Sequence, residues 1–285
     1  MSEEILVNVT PRETRVAVVE NGMLQELHIE RGWRRGVVGN IYKGRVQRVM
    51  PGMQAAFVEI GLERAAFLHA NDILRPAPVT SNGSEQEADA AAMPAPATPS
   101  ITELLHEGQE IIVQVVKDPI GGKGARLTTQ LSIPSRYLVL LPQSKVVGVS
   151  ARIEDEAERA RLKGLVAEFA GHAAAGYIIR TNAEAQPAEA LAEDIAYLSR
   201  AWALVERQAK AAKVGGCVYE DLTLPLRAVR DLMRRDVEKV KVDSRETWEK
   251  LRAFAAQYMP PLVGEADGDP EGASALAGKI GRAPP

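Results

Sequence analysis

Between residues 37 and 131 the sequence carries no convincing helical period apart from Ser100–Glu107. That absence constrains the fold more than any other feature. Five strand-like runs fill the stretch: Gly39–Met50, Gln54–Ile60, Ala65–His69, Glu110–Lys117 and Ala125–Leu131. Short strands at close spacing, turned at Gly44, Gly52 and Gly61, predict a small β-barrel. Between its third and fourth strands, Pro76 to Ser100 holds five prolines and seven alanines around an acidic patch. Such a segment has little to bury and reads as a mobile loop, 76–100, inserted in the barrel.

The flanks have a different texture. Ile5–Thr10, Thr14–Glu20 and Met23–Glu30 read as three strands, the last two joined by Asn21-Gly22, a strong hairpin signal. A basic, glycine-bounded link, Arg31–Gly36, closes this part. After Pro134 helical periods take over. Leu162, Leu165, Val166 and Phe169 share one helix face, and Leu191, Ile195, Leu198, Trp202 and Val205 mark a longer helix from about Pro187. A strand, Gly176–Thr181, lies between them. The last third predicts strand Cys217–Glu220, helix Leu226–Arg235, strand Val237–Val242 and helix Arg245–Tyr258, the last with Trp248, Leu251, Ala255 and Tyr258 inward. Three short strands make a marginal sheet alone. The elements after Cys217 are therefore expected to complete the opening strands, which splits one α/β subdomain around an insertion.

Composition excludes several classes. With 46% hydrophobic residues the chain can build a core, and no apolar run approaches the 18 residues of a membrane span. The start MSEEILVNVT lacks the basic and apolar stretches of a secretory signal. A single cysteine, Cys217, fits a reducing, cytoplasmic setting and can form neither an internal disulfide nor a zinc site. His28, His69, His106 and His172 are scattered without metal-ligand spacing. Glu154, Asp155, Glu156 and Glu158 open a helix and suit its dipole. Asn8 ends the first strand where a two-metal nuclease would want an aspartate, and Asp243 reads equally well as a helix cap. No catalytic cluster emerges.

Binding chemistry is better represented. Gly121-Gly122-Lys123-Gly124 lacks the spacing of a nucleotide-binding loop and sits between barrel strands. It reads as a flexible turn carrying a cation. In Ala55–Gly61 the residues Ala56, Val58 and Ile60 share a face by period two, so Phe57 points to the other. With Phe67 on the next strand, it offers either extra core or a platform on which bases stack while Lys123 holds phosphate. Lys43, Arg45, Arg48, Lys117 and Arg126 could add a basic face, although the barrel is nearly neutral overall. Arg180-Thr181, at a strand end, joins a guanidinium fork to a hydroxyl and would suit a terminal phosphate.

Taken in order, Gly39-Asn-Ile-Tyr-Lys-Gly-Arg-Val46, Ala55-Ala-Phe-Val-Glu-Ile-Gly61, Ala66-Phe-Leu68, Lys123-Gly-Ala-Arg-Leu-Thr-Thr129, Pro134-Ser-Arg-Tyr-Leu-Val139 and Ile179-Arg-Thr181 closely resemble the ribonuclease E/G family, nearer its G than its E side. The departures are the Pro/Ala loop, Asn182 where the family usually has alanine, and the tail after Met259. The resemblance implies an α+β, multi-subdomain fold. A ribonuclease-H-like subdomain (1–36 and 216–262) would be interrupted by an S1-type oligonucleotide-binding (OB-fold) barrel (37–131). An α/β 5′-sensor region (132–215) and a loose tail (263–285) would complete it. The residues matching Phe57, Phe67 and Lys123 would grip single-stranded RNA, with Lys43 and Arg45 nearby. Arg180 and Thr181, helped by backbone near Val139, would bind a 5′-monophosphate. The family is a magnesium-dependent endoribonuclease of rRNA processing and mRNA decay that forms homo-oligomers. Its metal-binding aspartates and a structural zinc link lie in a segment after the part matched here. The resemblance thus implies no cofactor in this chain, no membrane partner, and a recognition half that is inactive alone. A naturally truncated, non-catalytic RNA-binding or regulatory protein is the alternative.

Overall fold

The computed structural model describes residues 3–74, 99–171, 175–233, 237–259 and 280–282. The loop expected at 76–100 and the tail expected at 263–285 lie almost wholly outside them. The chain forms two compact units, Met1–Gly36 with Ser132–Arg207 and Asp221–Pro285, and Val37–Leu131 with Gln208–Glu220. Among the described residues no helix is long and apolar enough to cross a membrane.

In the first unit, β1 (Glu3–Val9), β2 (Glu13–Glu20) and β3 (Met23–Arg31) form an antiparallel meander. The hairpin between β2 and β3 turns through Asn21 and Gly22, both at positive φ, as an Asn-Gly pair favours. Ile5, Val7, Val16 and Val18 fill the buried face by strict alternation. Ten strands of other sheets intervene along the chain before two more join this sheet on the free side of β1.

The barrel occupies the second unit. Its strands are β4 (Ile41–Met50), β5 (Ala55–Glu59), β6 (Ala66–His69), β7 (Glu110–Lys117) and β8 (Arg126–Thr128). They run in the order β4–β5–β6–β8–β7 and close through a β4–β7 pairing; only β6 and β8 are parallel. A one-turn helix, α1 (Ile101–Leu104), contributes Ile101 to a core of Val46, Ala56, Val58, Leu68, Val113 and Leu127. Closure leaves no room for side chains at two crossings. A Cβ on Gly124 would stand 2.0 Å from the Ala65 carbonyl oxygen. A Cβ on Gly61 (φ +81°) would stand 2.2 Å from the carbonyl oxygen of Gly215.

Back in the first unit, a second sheet joins β9 (Ile133–Pro134), β10 (Leu138–Leu141), β11 (Val147–Val149) and β12 (Gly176–Ile179) in the order β11–β12–β10–β9. Helix α2 (Glu156–Ala170) packs on β11 and β12 through Leu162 and Val166. Asp155 caps it, accepting from Ala157 N at 2.9 Å. Phe169, expected inward, is 37% exposed: the helix ends one residue later and its last turn has left the sheet. Helix α3 (Ala188–Ala211) buries Leu191, Ile195, Leu198 and Val205, while Trp202 is only half-buried.

After α3 the chain departs from expectation at one strand. β13 (Cys217–Tyr219) does not complete the opening sheet; it pairs with β4 and belongs to the barrel unit. The opening sheet is completed by β14 (Val237–Val242), parallel to β1, and β15 (Ile280–Arg282), giving β15–β14–β1–β2–β3. Helices α4 (Leu224–Leu232) and α5 (Arg245–Tyr258) pack against that sheet and each other. Ser244, not Asp243, caps α5, its Oγ accepting from Thr247 N at 3.3 Å. Of the four α5 residues expected inward, Leu251 and Ala255 are buried, whereas Trp248 and Tyr258 are half-buried.

Candidate functional site

On the barrel the alternation read from the sequence is realised. Ala56, Val58 and Ile60 are at most 1% exposed, and Phe57 lies half-buried on the opposite face. Residues directly opposite on neighbouring strands share a face, and the register strings a row across the sheet. Arg48 on β4 is opposite Phe57 on β5, Phe57 opposite Phe67 on β6, Phe67 opposite Arg126 on β8, and Arg126 opposite Lys117 on β7. The two phenylalanine rings meet edge to face, centroids 6.1 Å apart, and the His69 ring stands 6.4 Å from Phe67. The row is therefore two rings flanked by guanidinium groups.

Lys123 lies on the turn between β7 and β8, closed by a bridge from Ile120 and by Lys123 N donating to the Ile120 carbonyl at 3.1 Å. Arg64 Nη1 holds that turn through the Gly122 carbonyl at 2.5 Å. Two residues on, the Ala125 carbonyl accepts from Phe67 N at 2.7 Å. The lysine turn is thus tied to the strand that carries the ring.

The cations divide by what they face. Lys43 and Arg45, expected RNA contacts, both pair with Glu110 on β7, at 3.1 and 3.0 Å. The hydrogen bond from Arg45 and then that from Lys43, with the charge of both, hold the Glu110 carboxyl below its ordinary value. Arg126 pairs with Asp72 at 2.9 Å. Arg48, Lys117 and Lys123 are exposed and carry no ion pair among the described residues. Partly exposed pairs of this kind contribute about 1 kcal/mol or less, so Glu110 and Asp72 compete with phosphate for these cations.

The second set of expected residues lies in the other unit. Val139 sits on β10 opposite Ile178 of β12, and Arg180 and Thr181 follow directly where β12 ends. Arg180 Nη1 donates to the Ser135 carbonyl at 2.6 Å, and Arg180 N donates to the Tyr137 carbonyl at 2.8 Å. The Thr181 hydroxyl lies 3.3 Å from that of Ser150. Arg180 makes no ion pair with a carboxylate among the described residues. A cavity of about 800 Å³ opens beside it, lined among others by Arg136, Tyr137, Asn182, Asp194 and Arg200. Burial pushes the Arg200 guanidinium below its ordinary value, and two hydrogen bonds to the Tyr258 carbonyl, at 3.1 and 2.6 Å, hold it.

Ser135 and Asp194 were not read from the sequence as site residues. Asp194 had a signal: it falls at i+3 from Leu191 on the inward face of α3, where a carboxylate is out of place. Acid–base and metal chemistry find less support. Asp243 Oδ2 accepts from the Asn8 amide at 2.5 Å and its Oδ1 from Val9 N at 2.9 Å, tying the ends of β14 and β1. Among the described residues no group of three or more His, Cys, Asp or Glu side chains could hold a metal ion.

Two family models match the chain: the S1 RNA binding domain over residues 37–118, and the ribonuclease E/G family over residues 132–268. Similar proteins include ribonuclease G of Salmonella typhimurium (strain SL1344), 51% identical over 267 residues, which are 94% of this chain and 53% of that protein. Ribonuclease G of Escherichia coli (strain K12) is 50% identical over the same shares. Ribonuclease E of Escherichia coli (strain K12) is 34% identical over 91% of this chain and 24% of that protein. The chain spans about half the length of the ribonuclease G relatives it matches.

Proposed function

The chain belongs to the ribonuclease E/G family, and we propose that it supplies RNA recognition within a ribonuclease G-like endoribonuclease of rRNA processing and mRNA decay. In this reading the S1-type barrel holds single-stranded RNA, and the unit containing Arg180 senses a 5′-monophosphate. The observation that carries it is the row Arg48–Phe57–Phe67–Arg126, with Lys123 on the adjoining turn. Paired rings flanked by cations suit a single strand, because every base has a π-face and every linkage a charge.

Arg180 supports the sensing role. Its position is set by backbone carbonyls rather than by a carboxylate, so its charge is available to an anionic ligand. The Thr181 hydroxyl on the next residue adds a donor. A triphosphate end would bring more bulk and charge to the same two side chains.

The sheet β15–β14–β1–β2–β3 we read as the ribonuclease-H-like subdomain, supported by its three antiparallel strands continued by two parallel ones. The proposal covers recognition and not cleavage. A binding assay separates the two sites. Lys123→Ala should weaken single-stranded RNA binding equally for 5′-monophosphate and 5′-hydroxyl ends. Arg180→Ala should instead remove the preference between them. A preference unchanged in Arg180→Ala would take Arg180 out of the sensor.

A further inference from the structure

Asp194 is 7% exposed, on the inward face of α3, and burial pushes its carboxyl above the ordinary carboxylate range. A carboxylate is costly to bury unless donors surround it. Its Oδ2 receives three: the Ser135 hydroxyl at 2.5 Å, Leu138 N at 2.9 Å and Tyr137 N at 3.0 Å. All three lie on the turn that leads from β9 into the first residue of β10. The carbonyl side of that turn is held separately. Arg230, bidentate on Asp231, donates to the Pro134 carbonyl at 2.9 Å, and Arg180 takes the carbonyls of Ser135 and Tyr137. The carboxylate thus fixes the N–H side of a turn whose C=O side fixes Arg180.

We propose that Asp194 is a positioning residue for the 5′-phosphate site. It acts through the Ser135–Leu138 turn and touches no ligand. The turn keeps the Arg180 fork oriented by a neutral carbonyl while leaving its charge uncompensated. Without the anion, the Tyr137 and Leu138 N–H groups lose their shared acceptor and the turn reorganises. The Ser135 carbonyl then moves from under Arg180. This inference rests on the reading of Arg180 as the phosphate contact.

The test compares the whole chain with Asp194→Asn, Ser135→Ala and Arg180→Ala. Each is titrated against one 3′-labelled single-stranded RNA carrying either a 5′-monophosphate or a 5′-hydroxyl, with circular dichroism and a thermal melt as the check on folding. Asp194→Asn should reduce the monophosphate preference by about fivefold or more, since charge-assisted bonds become neutral ones of roughly half the strength. The Kd for 5′-hydroxyl RNA should stay within about twofold. Ser135→Ala, which removes the one hydroxyl donor and leaves the backbone donors, should reduce the same ratio by about two- to threefold. A carboxylate that merely stabilises the fold would lower the melting temperature and leave the ratio intact.

If Arg180→Ala abolishes the preference while both other variants, folded, retain it, the role of Asp194 is overturned and the sensor stands. If the unmodified chain shows no preference, the sensor reading fails and this inference falls with it. Should Asp194→Asn not fold, the ratio in Ser135→Ala decides.

Discussion

Replacing Phe67 by leucine isolates the ring from everything else the residue does. Phe67 is central in the barrel row, opposite both Phe57 and Arg126, and only half-buried. Leucine keeps apolar surface on the strand but has no π-face. The fold then loses one edge-to-face contact at 6.1 Å, worth about 0.5–1.5 kcal/mol, and the chain should still melt cooperatively a few degrees lower. Binding loses one stacked base, about 1–3 kcal/mol, which raises Kd about 5- to 150-fold. Because no charge is removed, the slope of log K against log salt should not change. Anisotropy titrations of a short 5′-hydroxyl RNA at several salt concentrations give both quantities. Affinity within about twofold of the unmodified chain, or a flattened salt slope, would refute the platform.

Two further predictions use the charges. Glu110→Gln releases Lys43 and Arg45 from their shared carboxylate; RNA binding at low salt should tighten, and the salt slope should steepen by about 0.7 for each new phosphate contact. An unchanged slope would mean that neither cation reaches the strand. Hydrogen bonding to Arg161 brings the Glu158 carboxyl down to about 2 from its ordinary 4.5. A depressed folded-state value means stabilisation that is complete above 4.5 and is lost as pH falls from there toward 2. The melting temperature should therefore drop more between pH 5 and pH 2.5 in the unmodified chain than in Glu158→Gln, and equal drops would contradict the assignment.

What the sequence made legible was local. Period two along Ala55–Ile60 put Phe57 on the open face without any knowledge of its neighbours, and Asn21-Gly22 located the hairpin. What it hid was set by distant pairing. Nothing near Lys43 or Arg45 in the chain announces Glu110; the three meet only because β4 closes against β7. That Arg48 shares the row of Phe57 depends on a register shift between Val46 and Arg48, which a strict alternation would miss. β13 looked like the return to the opening sheet because it follows the long helix. Its pairing with β4, and the contact of Gly215 with Gly61, belong to backbone geometry that no periodicity expresses. Asp194 was visible as a misfit on an apolar face, but its partners on the Ser135–Leu138 turn lie more than fifty residues earlier.

The parallel pairing of β1 with β14 also sets a timetable. At about 5–20 residues per second, a ribosome that has finished Val9 needs roughly 10–45 s to reach Val237. Throughout that interval every strand of the closed five-stranded barrel emerges, while one side of β1 remains an open edge. Such an edge invites pairing with another chain unless charge guards it. β1 begins with Glu3 and Glu4, and in the finished fold Glu4 meets Lys241 of the arriving strand at 2.8 Å. The same carboxylate that repels strangers during synthesis then greets the partner strand.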